Sequence, residues 1–294
     1  MKIIRSLEEL RSWRKKLAPD KSLGFVPTMG ALHEGHLSLV HQSQKQCSST
    51  VVSIFVNPLQ FSPQEDFSHY PRPFEQDCAL LEHEGIDLVF APDAAQFYAP
   101  DASTYVLEET VSQPLCGSFR PGHFRGVTTV VLKLFHLVQP DFSYFGQKDA
   151  QQCAVLERMV RDLNVQVQIV KCPTVREPDG LALSSRNIYL NPLEREKAPL
   201  IYQSLKAAVD AYTQGERSVR LLEKLGRSIL EKEPLFKIQY WEIRHPITLA
   251  PLDKTDPLAT VGPEGALIAV AAYLRKTRLI DNWVLNEESL RKSK

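Results

Sequence analysis

Apolar and polar positions along the first 175 residues follow two periods in turn. Short runs rich in Val, Ile and Phe predict buried strands, and apolar residues at helical spacing between these runs predict amphipathic helices. The predicted strands are Leu23–Val26, Thr50–Val56, Asp87–Ala91, Tyr105–Leu107, Phe142–Phe145 and Val165–Val170. The predicted helices are Glu34–Cys47, Phe74–Glu84, Gly122–Leu137 and Ala150–Leu163. This alternation predicts a doubly wound α/β fold with a parallel sheet, whose ligands bind beyond the carboxyl ends of the strands.

The pattern changes near residue 175, where helices are followed by strands. The predicted helices are Pro192–Thr213 and Val219–Lys232, and the predicted strands are Ile238–Ile243, Ala266–Tyr273 and Arg278–Val284. Helices followed by strands are typical of a small α+β unit. We therefore predict two domains: a Rossmann-like ligand-binding domain over residues 1–175 and a smaller C-terminal domain over 176–294 that closes as a lid.

Composition narrows the class of protein. The 294 residues are 43% hydrophobic and 24% charged, which is ordinary for a soluble globular protein. Lys+Arg and Asp+Glu both number 35, so no overall field favours nucleic acid or an acidic membrane. The N-terminus lacks a signal-peptide core, no apolar run approaches the ~20 residues of a membrane helix, and the five cysteines are scattered. We expect a cytoplasmic protein with reduced thiols and no nucleic-acid or membrane partner.

Residues 25–36 carry the most informative local pattern. An apolar strand breaks at Pro27, turns through Gly30 and enters a helix that begins near His33 and His36. Unpaired backbone N–H groups and the positive end of the helix dipole make such a helix start an anion site. Two imidazoles three residues apart share one face of the helix and suit a phosphate whose charge grows during a reaction.

Other interpretations of this segment are weaker. Gly30 and Gly35 have the spacing of a P-loop, but the Lys and the Ser or Thr of that motif are missing. The spacing of His33 and His36 is one residue short of the zinc-protease motif, and no third ligand lies nearby. A Gly-rich turn with two surface histidines remains an alternative for the segment taken alone.

Further polar loops follow predicted strands or precede a helix. The loops are Asn57–Phe61, Gly146–Asp149, Arg120–Gly126 and Leu183–Asn187. Because ligands of a doubly wound sheet bind where the strand order reverses, the loops after the strands ending near Val56 and Phe145 should face the same crevice as the two histidines. Each of these residues also has an ordinary interpretation as a turn, a cap or a solvated side chain.

Taken together, these segments closely resemble the pantothenate synthetase (pantoate–β-alanine ligase) family, over nearly the whole chain and including Lys276–Asn282. That family belongs to the nucleotidyltransferase superfamily, together with the class I aminoacyl-tRNA synthetases. Residues 33–36 are similar to the HIGH motif of those enzymes, and residues 183–186 to their KMSKS loop.

The resemblance implies a two-step reaction that uses ATP as a substrate with Mg²⁺. Pantoate attacks ATP to give pantoyl adenylate and pyrophosphate, and β-alanine then displaces AMP to give pantothenate. It also implies a homodimer, with Mg²⁺ carried on the ATP phosphates rather than by a protein metal site. A simple nucleotidyltransferase and a nucleotide-binding relative without catalysis remain the alternatives.

The resemblance also implies roles for particular residues. It implies that His33, His36 and Lys148 are catalytic, with His36 as proton donor. The implied ATP-binding residues are Met29, Gly30, Ala31, Leu32, His33, Glu34, Gly35, His36, Gly146, Gln147, Lys148, Asp149, Val175, Leu183, Ser184, Ser185 and Arg186. The implied pantoate- or β-alanine-binding residues are Pro27, Thr28, Asn57, Gln60 and Gln152. Phe61 and Met29 are expected as apolar walls of the pantoate pocket, and Arg72, Arg120 and His123 are expected near the site with open roles.

Three positions depart from the family pattern. Leu183 stands in place of Met, Gln147 in place of Glu, and Ala150 where an aromatic residue is frequent. Leu183 conserves the volume of the Met side chain that it replaces. Gln147 removes a negative charge beside Lys148, and Ala150 opens the adjoining wall of the site. None of them removes an implied catalytic group.

Overall fold

A computed structural model describes residues 1–18, 20–63, 65–252 and 264–286. Its larger sheet has six strands in the order β1-β4-β3-β2-β5-β6, and all the neighbouring pairs are parallel. The strands are β1 (Lys2–Ile4), β2 (Leu23–Thr28), β3 (Ser49–Ile54), β4 (Leu88–Phe90), β5 (Phe142–Gly146) and β6 (Gln168–Cys172). The strand order reverses between β2 and β5, which confirms the doubly wound fold and places a ligand crevice at their carboxyl ends.

Helices cover both faces of this sheet. They are α1 (Leu7–Lys16), α2 (Glu34–Gln46), α3 (Phe74–His83), α4 (Ala94–Phe97), α5 (Cys116–Phe119), α6 (His123–Val138) and α7 (Ala150–Asp162). Successive side chains of β2 point to opposite faces of the sheet. Phe25 packs in the core beneath α6, and Val26 packs in the core beneath α2. Burial on both faces explains why the strands are continuous apolar runs. Within the described residues, no helix is both long and apolar enough to cross a bilayer.

A second, antiparallel sheet follows. Its strands are β7 (Phe236–Arg244), β8 (Ala266–Leu274) and β9 (Thr277–Leu285), with β8 in the centre. The accompanying helices are α8 (Pro192–Lys197), α9 (Leu200–Thr213) and α10 (Val219–Glu231). Along β8, Ile268 and Val270 pack in the core of the second unit, whereas Leu267 and Ala269 join the core of the first. The predicted small α+β unit is confirmed, and it is docked on the parallel sheet through an apolar face.

The predicted strand Tyr105–Leu107 is wrong. This segment is extended but has no strand partner among the described residues. The backbone N–H of Val106 donates to the Thr129 hydroxyl at 3.0 Å, and the carbonyl of Val106 accepts from the Thr128 hydroxyl at 2.7 Å. Side chains of α6 therefore satisfy backbone groups that the prediction assigned to a sheet.

Other element boundaries also needed correction. The single helix predicted over Pro192–Thr213 is two helices, α8 and α9, because Pro199 has no N–H with which to continue the helical ladder. The strand predicted to start at Val165 starts at Gln168, after Asn164 has taken a φ of 51°. β1 and α1 were not predicted, since their short apolar positions alternate with charges.

Candidate active site

A cavity of about 1220 Å³ opens at the carboxyl ends of β2 and β5 and is closed on one side by the second unit. It brings together most of the predicted site residues. These are Pro27, Thr28, Met29, His33, Gly35, His36, Asn57, Gln60, Phe61, Arg120, His123, Gly146, Lys148, Asp149, Gln152, Val175, Leu183, Ser184, Ser185 and Arg186. Predicted residues that do not line it are Gly30, Ala31, Leu32, Glu34, Arg72 and Gln147.

Hydrogen bonds from main-chain N–H groups fix both histidine rings at the start of α2. The N–H of Gly35 donates to Nδ1 of His33 at 3.1 Å, and the N–H of His33 donates to Nδ1 of His36 at 3.3 Å. The ring centroids are 4.1 Å apart. Because both Nδ1 atoms accept, each neutral ring carries its proton on Nε2 and is a donor there.

Both rings are neutral at pH 7. Burial, with a contribution from Lys148, lowers the pKa of His33 to about 4. Burial, together with His33 and Lys148, lowers the pKa of His36 to about 3. The positive charge of this part of the cavity therefore resides on Lys148 and Arg186, and the imidazoles contribute as uncharged hydrogen-bond donors.

The loop that presents these histidines is held by a buried carboxylate that the sequence analysis missed. Asp77 of α3 is 1% exposed and accepts from the N–H groups of Ala31 and Leu32, both at 2.8 Å. Gly30 and Ala31 both have positive φ, of 80° and 52°. A Cβ at Gly30 would lie 2.9 Å from an Asp77 carboxylate oxygen, so the sharp turn and the carboxylate fit only with glycine there.

Lys148 joins the two units. It lies in the 3₁₀ turn Gln147–Asp149, and its Nζ donates to the carbonyl of Leu183 at 3.1 Å. Burial lowers the pKa of Lys148, although Asp149 and Asp281 act in the opposite direction. Leu183 in turn donates its N–H to the carbonyl of Val175 at 3.0 Å, so hydrogen bonds connect Lys148, the Ser184–Arg186 loop and Val175, which is one of the implied ATP-binding residues.

The serine–arginine loop faces a loop of the first unit across the cavity. Arg186 forms a two-pronged ion pair with Asp66, at 3.0 Å from Nε and 2.9 Å from Nη2. The hydroxyl groups of Ser185 and Tyr70 are 3.1 Å apart. Burial acts to raise the pKa of Asp66, but hydrogen bonding and charge from Arg186 outweigh it and hold that pKa below its usual value.

Arg120 and His123 support the backbone at Gln60. The Nδ1–H of His123 donates to the carbonyl of Gln60 at 2.8 Å, and Arg120 donates to Nε2 of the same ring at 3.0 Å. Burial and the charge of Arg120 lower the pKa of His123 to about 3. Arg120 is also paired with Glu65. These contacts give both residues a positioning role that the sequence left open.

The amide side chains of Asn57, Gln60 and Gln152 differ in how free they are to bind a ligand. Asn57 is 1% exposed, and its amide donates to Gln60 Oε1 and to the carbonyl of Gly126, both at 3.1 Å. Its side-chain oxygen accepts from the Tyr98 hydroxyl at 2.9 Å. The Gln60 amide donates to the sulfur of Met29 at 2.9 Å. Gln152 makes no side-chain hydrogen bond with the described residues, so Gln60 and Gln152, rather than Asn57, can meet a ligand.

The part of this cavity that the described residues form provides no ligand cluster for a resident metal. Among the described residues, no group of three or more His, Cys, Asp or Glu side chains is placed to hold a metal ion. Asp66 is paired with Arg186, and Asp77 is bonded to backbone amides. A divalent cation would therefore depend on ligand oxygens, which suits magnesium.

The fold and the cavity define a class: a doubly wound α/β protein with neutral donors and cations arranged for a phosphorylated ligand. Comparison with known proteins specifies the family. The family model for pantoate-β-alanine ligase matches residues 2–284. Pantothenate synthetase of Chloroflexus aurantiacus is 51% identical over 288 residues, covering 98% of this chain and 99% of that protein.

Solved structures agree with this match. Pantothenate synthetase from Thermus thermophilus is 46% identical with a TM-score of 0.90, covering 97% of this chain and 100% of that one. The pantoate-β-alanine ligase from Francisella tularensis, solved in complex with β-γ ATP and β-alanine, is 33% identical with a TM-score of 0.78, and the match covers 97% of each chain. The chain belongs to the pantoate–β-alanine ligase family, which confirms the expected enzyme class.

Proposed function

We propose that this enzyme condenses pantoate with β-alanine in an ATP-dependent reaction that passes through pantoyl adenylate and releases AMP and pyrophosphate. The observation that carries the proposal is the meeting of His33, His36, Lys148 and the Ser184–Arg186 loop in one cavity with two available glutamines. The Francisella relative, solved with β-γ ATP and β-alanine, supports the choice of two of the three substrates.

In the first step, a carboxylate oxygen of pantoate forms a bond to the α-phosphorus of ATP. The bond from that phosphorus to the α–β bridging oxygen breaks, and pyrophosphate leaves. Such a displacement needs positioning and charge stabilisation rather than covalent help. The Nε2–H groups of the neutral His33 and His36 rings donate hydrogen bonds to phosphate oxygens and keep their protons, so His36 acts as a hydrogen-bond donor rather than as the acid that the resemblance implies. Lys148 and Arg186 balance the charge of the phosphates.

In the second step, the nitrogen of β-alanine attacks the acyl carbon of the adenylate. The carbon–nitrogen bond forms, the bond from the acyl carbon to the phosphate oxygen breaks, AMP leaves, and the nitrogen loses a proton to become an amide. Gln60 and Gln152 supply amides for the hydroxyl groups of pantoate. Met29 and Phe61, which line the same cavity, supply apolar surface for its methyl groups.

We propose three further properties of the enzyme. Mg²⁺ would be held by the ATP phosphates, since the described residues offer no ligand cluster, and it would neutralise phosphate charge. The homodimer and the division into domains at residues 175 and 176 rest on the family resemblance and the change of sequence pattern.

The first half-reaction provides the test. We expect wild-type protein to exchange labelled pyrophosphate into ATP only when pantoate is present, without β-alanine. His36→Ala should lose about 100-fold of this exchange, because removing one such donor costs ~3 kcal/mol of transition-state stabilisation. His41→Ala is the matched control, since His41 lies on the same helix but pairs with Glu84 outside the cavity.

The alternatives give different results. Normal exchange by a folded His36→Ala protein would contradict the role of His36. Exchange that does not depend on pantoate, with no AMP release on addition of β-alanine, would identify a simple nucleotidyltransferase. Binding of ATP without any exchange would identify a relative that has lost catalysis.

A further inference from the structure

The segment Lys276–Asn282 resembles the family, but the proposed reaction gives its polar side chains, Arg278 among them, no role. Two others have clear structural partners. Asp281 is 2% exposed and forms a two-pronged ion pair with Arg176, at 2.6 and 2.9 Å. The amide of Asn282 donates to the carbonyls of Gln147 and Lys148, at 2.8 and 2.9 Å. These contacts fix β9 against the catalytic lysine, and they leave Arg278 to be explained.

Arg278 lies at the junction of two cavities. It lines the main cavity and also a smaller one of about 50 Å³, and the other residues that line both are Arg120, His123, Lys148, Asp149, Gln152 and Ile280. Its Nε donates to Oε1 of Gln239 at 2.6 Å, and its Nη2 donates to the sulfur of Cys116 at 3.3 Å. A carboxamide and a thiol thus hold the guanidinium in place, and further N–H donors remain for a ligand.

Other arginines in the wall of the main cavity are paired with carboxylates. Arg120 pairs with Glu65, Arg186 with Asp66, and Arg275 approaches Glu194 at 3.9 Å. Arg278 has no ion pair with any carboxylate of the described residues. A guanidinium that is largely removed from water without a counter-charge is unfavourable, and an anionic group on a ligand would relieve that cost.

The three proposed substrates differ in the anion they offer to this position. The ATP phosphates belong near the histidines, Lys148 and Arg186, and the pantoate carboxylate is the group that reacts. The carboxylate of β-alanine does not react, and it must lie beyond the attacking amine, on the side of the pantoate amides. Gln152, which we assign to pantoate, lines the smaller cavity together with Arg278. A planar guanidinium also matches a carboxylate with two parallel hydrogen bonds.

We propose that Arg278 binds the carboxylate of the amine substrate and so makes the enzyme select a short amino acid over a neutral amine. The inference rests on the proposed function, because it assigns the acceptor end of that reaction. The two carbons between amine and carboxylate would then set the distance from Arg278 to the acyl carbon.

The test compares two acceptors that differ only in charge. We would measure kcat/KM for β-alanine and for β-alaninamide, in which an amide replaces the carboxylate. Arg278→Gln should raise the KM for β-alanine by about 10- to 100-fold, since a hydrogen bond to a charged group contributes about 1.5–3 kcal/mol. The kcat/KM for β-alaninamide should stay within about threefold of wild type, and Arg278→Lys should restore part of the preference for β-alanine.

Two controls make the outcome specific. Arg161→Gln removes an exposed guanidinium that lines neither cavity and should leave the preference for β-alanine unchanged. Pantoate-dependent pyrophosphate exchange, which needs no amine, should persist in Arg278→Gln. An equal loss with both acceptors, or loss of preference in Arg120→Gln but not in Arg278→Gln, would overturn the assignment. Absence of exchange in wild-type protein would instead refute the proposed function.

Discussion

At the scale of single residues, the defining feature is a pair of histidines whose proton positions are set by the backbone. Each Nδ1 accepts a main-chain N–H, from Gly35 in one case and from His33 itself in the other. Burial keeps both rings uncharged in the free protein. Such rings are ready to donate to phosphate oxygens without first losing or gaining a proton, which is a form of preorganisation.

This arrangement predicts how the two rings titrate. Their pKa values of about 4 and about 3 lie below the ordinary value of 6.5, so protonation should become appreciable only as the pH falls toward 4. In ¹⁵N spectra of the free protein, both residues should stay neutral with the proton on Nε2 between about pH 5.5 and 8. His33→Gln and His36→Gln assign the signals. A midpoint near 6.5 for either ring would contradict the prediction.

The sequence was informative about this site because its chemistry lies in short contiguous motifs. His33, His36, Lys148 and Ser184–Arg186 could be found from residue types and order, and the cavity unites them. Residue types and order do not reveal the roles of Asp77, Asp66 and Arg278, because these roles depend on partners that are distant in the sequence. Arg278 at least lay in a segment with family resemblance, whereas nothing local distinguishes Asp77 from any helix carboxylate.

At the scale of elements, the loop between β2 and α2 depends on α3. The N–H groups of Ala31 and Leu32 both point at Asp77, and the positive φ angles of Gly30 and Ala31 are kept by this contact. A carboxylate is well suited here because it only accepts hydrogen bonds. The position of the histidine pair is therefore fixed by a helix that contributes no predicted site residue.

Asp77→Asn tests this dependence. The new NH₂ group would face a backbone donor, so we expect a loss of about 1–3 kcal/mol in the free energy of unfolding. Displacement of the histidines should also lower pantoate-dependent pyrophosphate exchange by about 10- to 100-fold. Glu75→Gln, an exposed change on the same helix, is the control. Wild-type exchange in a folded Asp77→Asn protein would show that the loop holds its shape alone.

The elements themselves were largely predictable, and the failures have physical causes. Apolar runs predicted the central strands, because both faces of the sheet are buried. Tyr105–Leu107 is also a short apolar run, yet side chains of α6 form hydrogen bonds with its backbone. Whether an extended segment pairs with a sheet depends on which elements pack beside it in the folded protein, and the local sequence pattern does not contain that information.

At the scale of the whole molecule, the cavity lies between two units that share an apolar contact. Leu267 and Ala269 of β8 pack in the core of the parallel sheet. On the open side, contacts between the units are polar: Arg186 with Asp66, and the Tyr189 hydroxyl donating to the carbonyl of His69 at 3.3 Å. The two units are therefore held together by an apolar contact at the parallel sheet and by polar contacts at the open side of the cavity.

The ion pair between Asp66 and Arg186 makes a prediction about ATP affinity. The Asp66 carboxylate pairs with the Arg186 guanidinium, which we assign to the ATP phosphates. The carboxylate and the phosphates therefore compete for the same N–H donors. Both side chains are about one quarter exposed, at 26% and 27%, and a pair of this kind contributes up to about 1 kcal/mol. Asp66→Asn should therefore lower the Kd for ATP by about two- to fivefold, measured by calorimetry without pantoate.

Two further variants separate competition from a general charge effect. Asp162→Asn removes one negative charge from an exposed pair with Arg161, away from the cavity, and should leave the Kd for ATP unchanged. Asp66→Glu keeps the competing carboxylate and should bind ATP nearly as the wild type does. If Asp66→Asn binds ATP more weakly, the carboxylate instead orders Arg186 for the nucleotide, and the contact across the cavity is a support rather than a competitor.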